Sequence, residues 1–63
     1  MKSNINVWIA KREMSKKEVA EMMDVSQTVL SRWINNRSMP SLKNAFKLAD
    51  LLNCKVDDLY DRK

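Results

Sequence analysis

Apolar side chains recur along this chain every three or four residues, the period of an α-helix, and no stretch shows the sustained alternation of a half-buried strand. Ile5, Trp8 and Ile9 make a first i, i+3, i+4 stripe that ends near residues 12 to 14. Val19, Ala20 and Met23 form a second stripe behind Ser15, and Glu18 stands three residues after that serine. Serine and glutamate at this spacing are a capping box: the hydroxyl accepts from an unpaired N–H, and the carboxylate returns to the serine's own N–H. Met14, just ahead of the box, is placed to staple onto Val19. The spacing therefore predicts a helix over about residues 16 to 23. Ser26 caps a third helix whose inward stripe is Leu30, Trp33 and Ile34 and which ends at Asn35 and Asn36. Pro40 forbids regular helix before the next serine cap, Ser41. Beyond it, Leu42, Ala45, Phe46, Leu48, Ala49, Leu51 and Leu52 describe a long helix that is mostly core and ends at Asn53. A last turn over residues 56 to 60 returns Val56, Leu59 and Tyr60 to the bundle. The expected fold is all-α, with five short helices.

The chain contains no glycine. Helices commonly exit through a residue at positive φ, which glycine adopts without strain and which asparagine and aspartate tolerate better than other L-residues. Asp24, Asn36 and Asn53 stand at such exits and are assigned that conformation, each at about 1 kcal/mol relative to glycine. Valine at any of the three would cost more, because β-branching makes positive φ an outlier.

Residues 16 to 33 have the spacing of a two-helix corner. Ala20 is small where the third helix crosses the second, and Asp24 turns the chain four residues later. Val25 plugs the space beneath the turn, while Leu30 and Trp33 seal the third helix onto the second.

Sixty-three residues suffice for one domain over residues 1–63 with a modest core, since a domain this size hides only about 60% of its unfolded surface. Little chain remains for the supported pocket that catalysis requires, so binding is favoured over enzymatic activity. Twelve Lys and Arg against eight Asp and Glu suit an anionic partner without separating DNA from RNA or a membrane surface. The excess lies early, with seven basic to four acidic residues through position 40 and five to four after it. A single cysteine, Cys54, allows no internal disulfide, and the lack of histidine removes the usual zinc ligand sets. No cofactor is expected. Cys54 is read as filling a small core space, and Asp57 and Asp58 as the acidic first turn of the last helix. Trp8, Trp33 and Phe46 are read as core in preference to a stacking surface for single strands. The polar N-terminus and the absence of any long apolar run make a cytoplasmic location the expectation.

With these pieces in place, the chain resembles the Cro and cI repressor-type (XRE-like) helix-turn-helix family of five-helix, lambda-repressor-like domains. The resemblance rests on Met14-Ser15, Glu18-Val19-Ala20, Val25-Ser26, Leu30-Ser31-Arg32-Trp33, Asn35, Pro40-Ser41, Leu48-Ala49 and the run from Leu52 to Leu59. It covers nearly the whole chain and places the helix-turn-helix at residues 16–37. Asp24, Asn36 and Asn53 stand where the family usually has glycine, Lys16 where it favours glutamine, and Ile34 where glutamate is common.

The resemblance implies that the third helix enters the major groove of double-stranded DNA and that Gln27, Thr28, Val29, Ser31 and Arg32 read base edges. Glutamine suits adenine, arginine suits guanine, and the Thr28 and Val29 methyls suit a thymine methyl. Lys16, Lys17, Ser26, Asn35 and Arg37 are expected at phosphates, with Lys11 and Arg12 as weaker candidates. One helix reads too few base pairs, which implies a homodimer on a palindromic operator, with Val56, Leu59 and Tyr60 as its interface. Three readings stay open: a freestanding repressor, an antitoxin that also binds a toxin protein, and a protein-interaction module on the same fold.

Overall fold

A computed structural model of the protein describes residues 1–61. Its order is β1 (Lys2–Ser3), α1 (Ile5–Lys11), α2 (Lys16–Met23), α3 (Gln27–Ile34), α4 (Leu42–Leu51), α5 (Val56–Leu59) and β2 (Tyr60–Asp61). The five-helix, all-α architecture is the expected one. The strands depart from it: β1 and β2 pair antiparallel, Lys2 opposite Asp61 and Ser3 opposite Tyr60, closing the two chain ends on each other. Two residues per strand are too few to display an alternating pattern, so periodicity had no means of revealing them.

Serine hydroxyls start the three middle helices. Ser15 Oγ accepts from Glu18 N–H at 3.0 Å while Glu18 Oε1 accepts from Ser15 N–H at 3.0 Å, completing the capping box. Ser26 Oγ accepts from Val29 N–H at 3.1 Å, and Ser41 Oγ from Asn44 N–H at 3.2 Å. At α5 the Asp58 carboxylate accepts from Lys55 N–H at 3.0 Å, as an acidic first turn should.

The helix exits share one geometry. Asp24, Asn36 and Asn53 sit at φ 57°, 61° and 56°, and Glu13 joins them at 55°. After each, the next N–H reaches back to a carbonyl five residues earlier: Met14 to Ile9 (3.2 Å), Val25 to Ala20 (3.0 Å), Arg37 to Arg32 (2.8 Å) and Cys54 to Ala49 (2.9 Å). These are Schellman turns, which satisfy carbonyls that a helix end leaves open. Glu13 was missing from the expected set because glutamate has no local preference for this conformation. The place of the turn, between the first stripe and the Ser15 cap, was its only mark.

Ile5, Ile9, Val19, Ala20, Met23, Leu30, Trp33, Leu48, Ala49, Leu52 and Leu59 form the core, with Met14, Val25 and Cys54 packed against it from three of the four turns. Burial, and secondarily the Asp58 carboxylate, push the Cys54 thiol above its ordinary pKa, with Arg12 partly opposing them. The thiol therefore stays protonated near neutrality and is a poor nucleophile.

Three expectations about aromatic and apolar residues are corrected. Phe46 is 56% exposed and Leu42 is 72% exposed. The α4 stripe that meets the core is Ala45, Leu48 and Ala49, and each helical step turns about 100°, so Phe46 falls beside it. Trp8 is half-buried, with its indole N–H donating to the Asp58 carbonyl at 3.0 Å and the Lys11 ammonium 4.4 Å from its ring centre. It clasps α1 to α5 from the edge of the core.

The left-handed exits have a measurable cost. Asn53→Val is expected to destabilise by about 1–2 kcal/mol, lowering Tm by about 4–8 °C per kcal/mol, whereas Glu13→Gly should leave Tm unchanged or raise it. Thermal melts followed by circular dichroism decide this, and an Asn53→Val Tm equal to that of the parent would contradict it.

Candidate nucleic-acid interface

The residues expected to meet DNA lie on the α2–α3 corner, and nearly all face outward. Gln27, Thr28, Val29 and Arg32 are exposed on α3, and Ser31 between them is half-buried. Val29, at 36% exposure, stands at the margin between this face and the core. The opposite side of the helix carries Leu30 and Trp33 into the core, which fixes the rotation of α3 about its own axis. Which residues α3 presents outward is thus a consequence of core packing.

Two helix N-termini flank that face. In α2, Ser15 takes the Glu18 N–H, leaving the Lys16 and Lys17 N–H groups in an open first turn beside their exposed side chains. In α3, Ser26 takes the Val29 N–H, which leaves Gln27 and Thr28 in the same position. The Ser26 hydroxyl accepts through its oxygen and retains a proton to donate. Open N–H groups at the positive end of a helix favour anions, and lysines at α2 reinforce the preference.

At the other end of α3, Asn35 is the exposed C-cap and Arg37 follows the positive-φ residue Asn36. Met14, Val25 and Cys54, in the equivalent place at the other three turns, pack on the core. Arg37 is exposed there. The backbone device is the same at all four exits, and only the one at the C-terminal end of α3 is followed by a charged residue in place of a plug. Its main chain is held by the Arg32 carbonyl, which accepts from Arg37 N–H at 2.8 Å and Ser38 N–H at 3.4 Å.

Other candidates are redistributed. Arg12 Nε donates to the Leu52 carbonyl at 2.7 Å and its terminal nitrogen to the Asn53 carbonyl at 3.1 Å, so the guanidinium closes the C-terminal end of α4. A cation at that end also complements the helix dipole. Lys11 lies over Trp8. Leu59, expected at a dimer interface, is fully buried in the chain's own core and has no surface to offer a second chain. Val56 and Tyr60 instead line an apolar groove of about 360 Å³ together with Met1, Met39, Leu42 and Ala45. The Tyr60 hydroxyl oxygen is buried without a hydrogen-bond partner, and burial raises the phenol's pKa.

Sequence reasoning missed a bond that reaches this site: Asn36 Nδ2 donates to the Met1 carbonyl. No local pattern marks a contact across thirty-five positions. Among the described residues no helix is long and apolar enough to cross a membrane, and no group of three potential metal ligands is present.

The sequence model of a family described as "Helix-turn-helix" matches residues 8–59, the stretch from Trp8 on α1 to the end of α5. The chain is also similar to an uncharacterized HTH-type transcriptional regulator from Archaeoglobus fulgidus. The two are 30% identical over 60 residues, covering 95% of this chain and 84% of that protein.

Because Arg12 is bonded to helix-end carbonyls, Arg12→Ala is expected to destabilise by about 1.5–3 kcal/mol, the range for hydrogen bonds that involve a charged group. Affinity for a DNA duplex should stay within twofold at temperatures where the variant is folded. Weakened binding with an unchanged melt would return Arg12 to the phosphate-binding set.

Proposed function

The chain belongs to the Cro and cI repressor-type helix-turn-helix family, a family of DNA-binding regulators, and on that premise we propose that it is a sequence-specific repressor. In this reading α3 lies in the major groove, and occupation of the operator blocks transcription. One observation carries it: the outward face of α3 is polar and uncommitted, while basic side chains and open helix ends surround it. An α-helix with its side chains is about 10–12 Å across, which matches the roughly 12 Å width of the major groove.

Gln27, Thr28, Val29, Ser31 and Arg32 read base edges, with Arg32 forked to a guanine and Gln27 to an adenine. Lys16, Lys17 and Ser26 hold the phosphates on one side of the groove, and Asn35 and Arg37 hold those on the other. The protein binds as a homodimer on a palindromic site, each copy seating the groove beside Val56 and Tyr60 on the other. Exposed Leu42 and Phe46 supply apolar surface for that contact. Lys43 and Lys47 follow them on α4, and Asp57 lines the groove beside Val56 and Tyr60. A two-fold interface must be self-complementary, and the exposed apolar surface of α4 meeting the other copy's apolar groove satisfies that requirement. Protomer extents of 29 × 22 × 19 Å are compatible with two α3 helices about one DNA turn, roughly 34 Å, apart.

Selection of bound sites from a random duplex library tests this directly. A palindrome with half-sites about one turn apart is expected; a flat profile, or recovery of a protein partner in place of DNA, would overturn it. On the selected duplex, Arg32→Ala should weaken binding by about 1–3 kcal/mol and relax one position of the site. Lys16→Ala should weaken all sequences alike and reduce the salt dependence by about one per protomer. Equal loss on random DNA for Arg32→Ala would remove it from the reading set, and an unchanged salt slope would remove Lys16 from the phosphate set.

A further inference from the structure

The end of α3 is tied to the far side of the molecule. Asn36 adopts φ 61°, and its backbone N–H donates to the Trp33 carbonyl at 3.3 Å. Its side-chain amide donates to the Met1 carbonyl. From Met1 the chain runs into β1, which pairs with β2, and the Asn4 N–H then donates to the Leu59 carbonyl at 2.8 Å. Residues 1 to 4 therefore form a strap from the C-terminal strand to the exit of α3.

Backbone conformation alone does not call for this bond. Glycine would take the same φ at lower cost, and it has no side chain to reach Met1. Among the described residues, Asn36 is the one positive-φ residue of four whose side chain makes such a bond to a distant part of the chain. Its neighbours on either side are the exposed Asn35 and Arg37.

We propose that Asn36 is a positioning residue for DNA docking: through Met1 it holds the corner carrying Asn35 and Arg37 at the orientation phosphate contact requires. The proposal rests on the reading that this corner meets the DNA backbone. A tether matters here because Arg37 has no core plug to anchor its turn, unlike Met14, Val25 and Cys54. Ordering the corner before binding removes an entropy cost that would otherwise fall on the complex.

Asn36→Gly separates the side chain from the backbone, since it preserves the turn and removes only the amide. Asn36→Asp retains tolerance for positive φ and replaces the donor with an acceptor, so it should behave alike. Three quantities are read for each variant: Tm, amide exchange in the free protein, and affinity with its salt dependence on the duplex selected for the parent. For Asn36→Gly the Tm should be equal or higher. Exchange at Arg37 and Ser38 should speed by about fivefold or more as the corner opens locally. Affinity should fall roughly three- to tenfold, the scale of one hydrogen bond, with a smaller salt slope as the Arg37 contact is lost. Faster exchange with unchanged affinity would overturn the positioning role, and unchanged exchange would overturn the strap itself. If the parent binds no duplex specifically, the DNA-reading proposal fails, and the positioning role falls with it; the exchange data would still report on the strap.

Discussion

Four helices in this protein end by forcing a residue other than glycine into left-handed backbone, and the packing depends on those four turns. Each turn sends the next N–H back to a carbonyl five residues earlier, so α1 through α4 close their C-terminal ends by one hydrogen-bond scheme. Three turns then insert a side chain, Met14, Val25 or Cys54, against the core. The conformational cost is about 1 kcal/mol at each, and at those three turns packing of the following residue offsets it. With so short a chain, a helix that overran by one residue would rotate the next about 100° and turn its apolar face from the core.

The surface proposed to face DNA follows from the same constraint. The turn at Asp24 sets where α3 begins, and burial of Leu30 and Trp33 sets its rotation, leaving Gln27, Thr28 and Arg32 outside. The turn at Asn36 sets where α3 ends and points its following residue, Arg37, away from the core. Position in the fold, more than residue type, makes these side chains candidates for base and phosphate contact. Arg12 shows the converse, a cation two of whose nitrogens donate to the end of α4.

Much of this was legible in the sequence because the signals are local. Serine caps, the Ser15–Glu18 box, the helical period and the asparagine and aspartate exits each act within a few residues, and they recover α2, α3 and the corner between them. What escaped notice depends on distant partners: the β1–β2 pairing, the bond from Arg12 to α4 and the tie from Asn36 to Met1. Hydropathy overreached at Phe46 and Leu42, since it counts apolar residues without knowing how wide an arc of α4 the core covers. Hydropathy returned Leu59 to the bundle, where the core holds it; its place on an interface came from the expectation of a dimer, which no local signal locates. Resemblance supplied roles that spacing alone does not, most of all the division between base-reading and phosphate-holding residues.

The surface assignment is tested most directly by titrating the isotopically labelled protein with a duplex carrying a single half-site and following each backbone amide by NMR. The largest shifts are expected at residues 16, 17, 26 to 29, 31, 32, 35 and 37, with Val56 and Tyr60 little changed. Shifts centred on the groove around Leu42, Val56 and Tyr60, with the α3 face unmoved, would contradict the account.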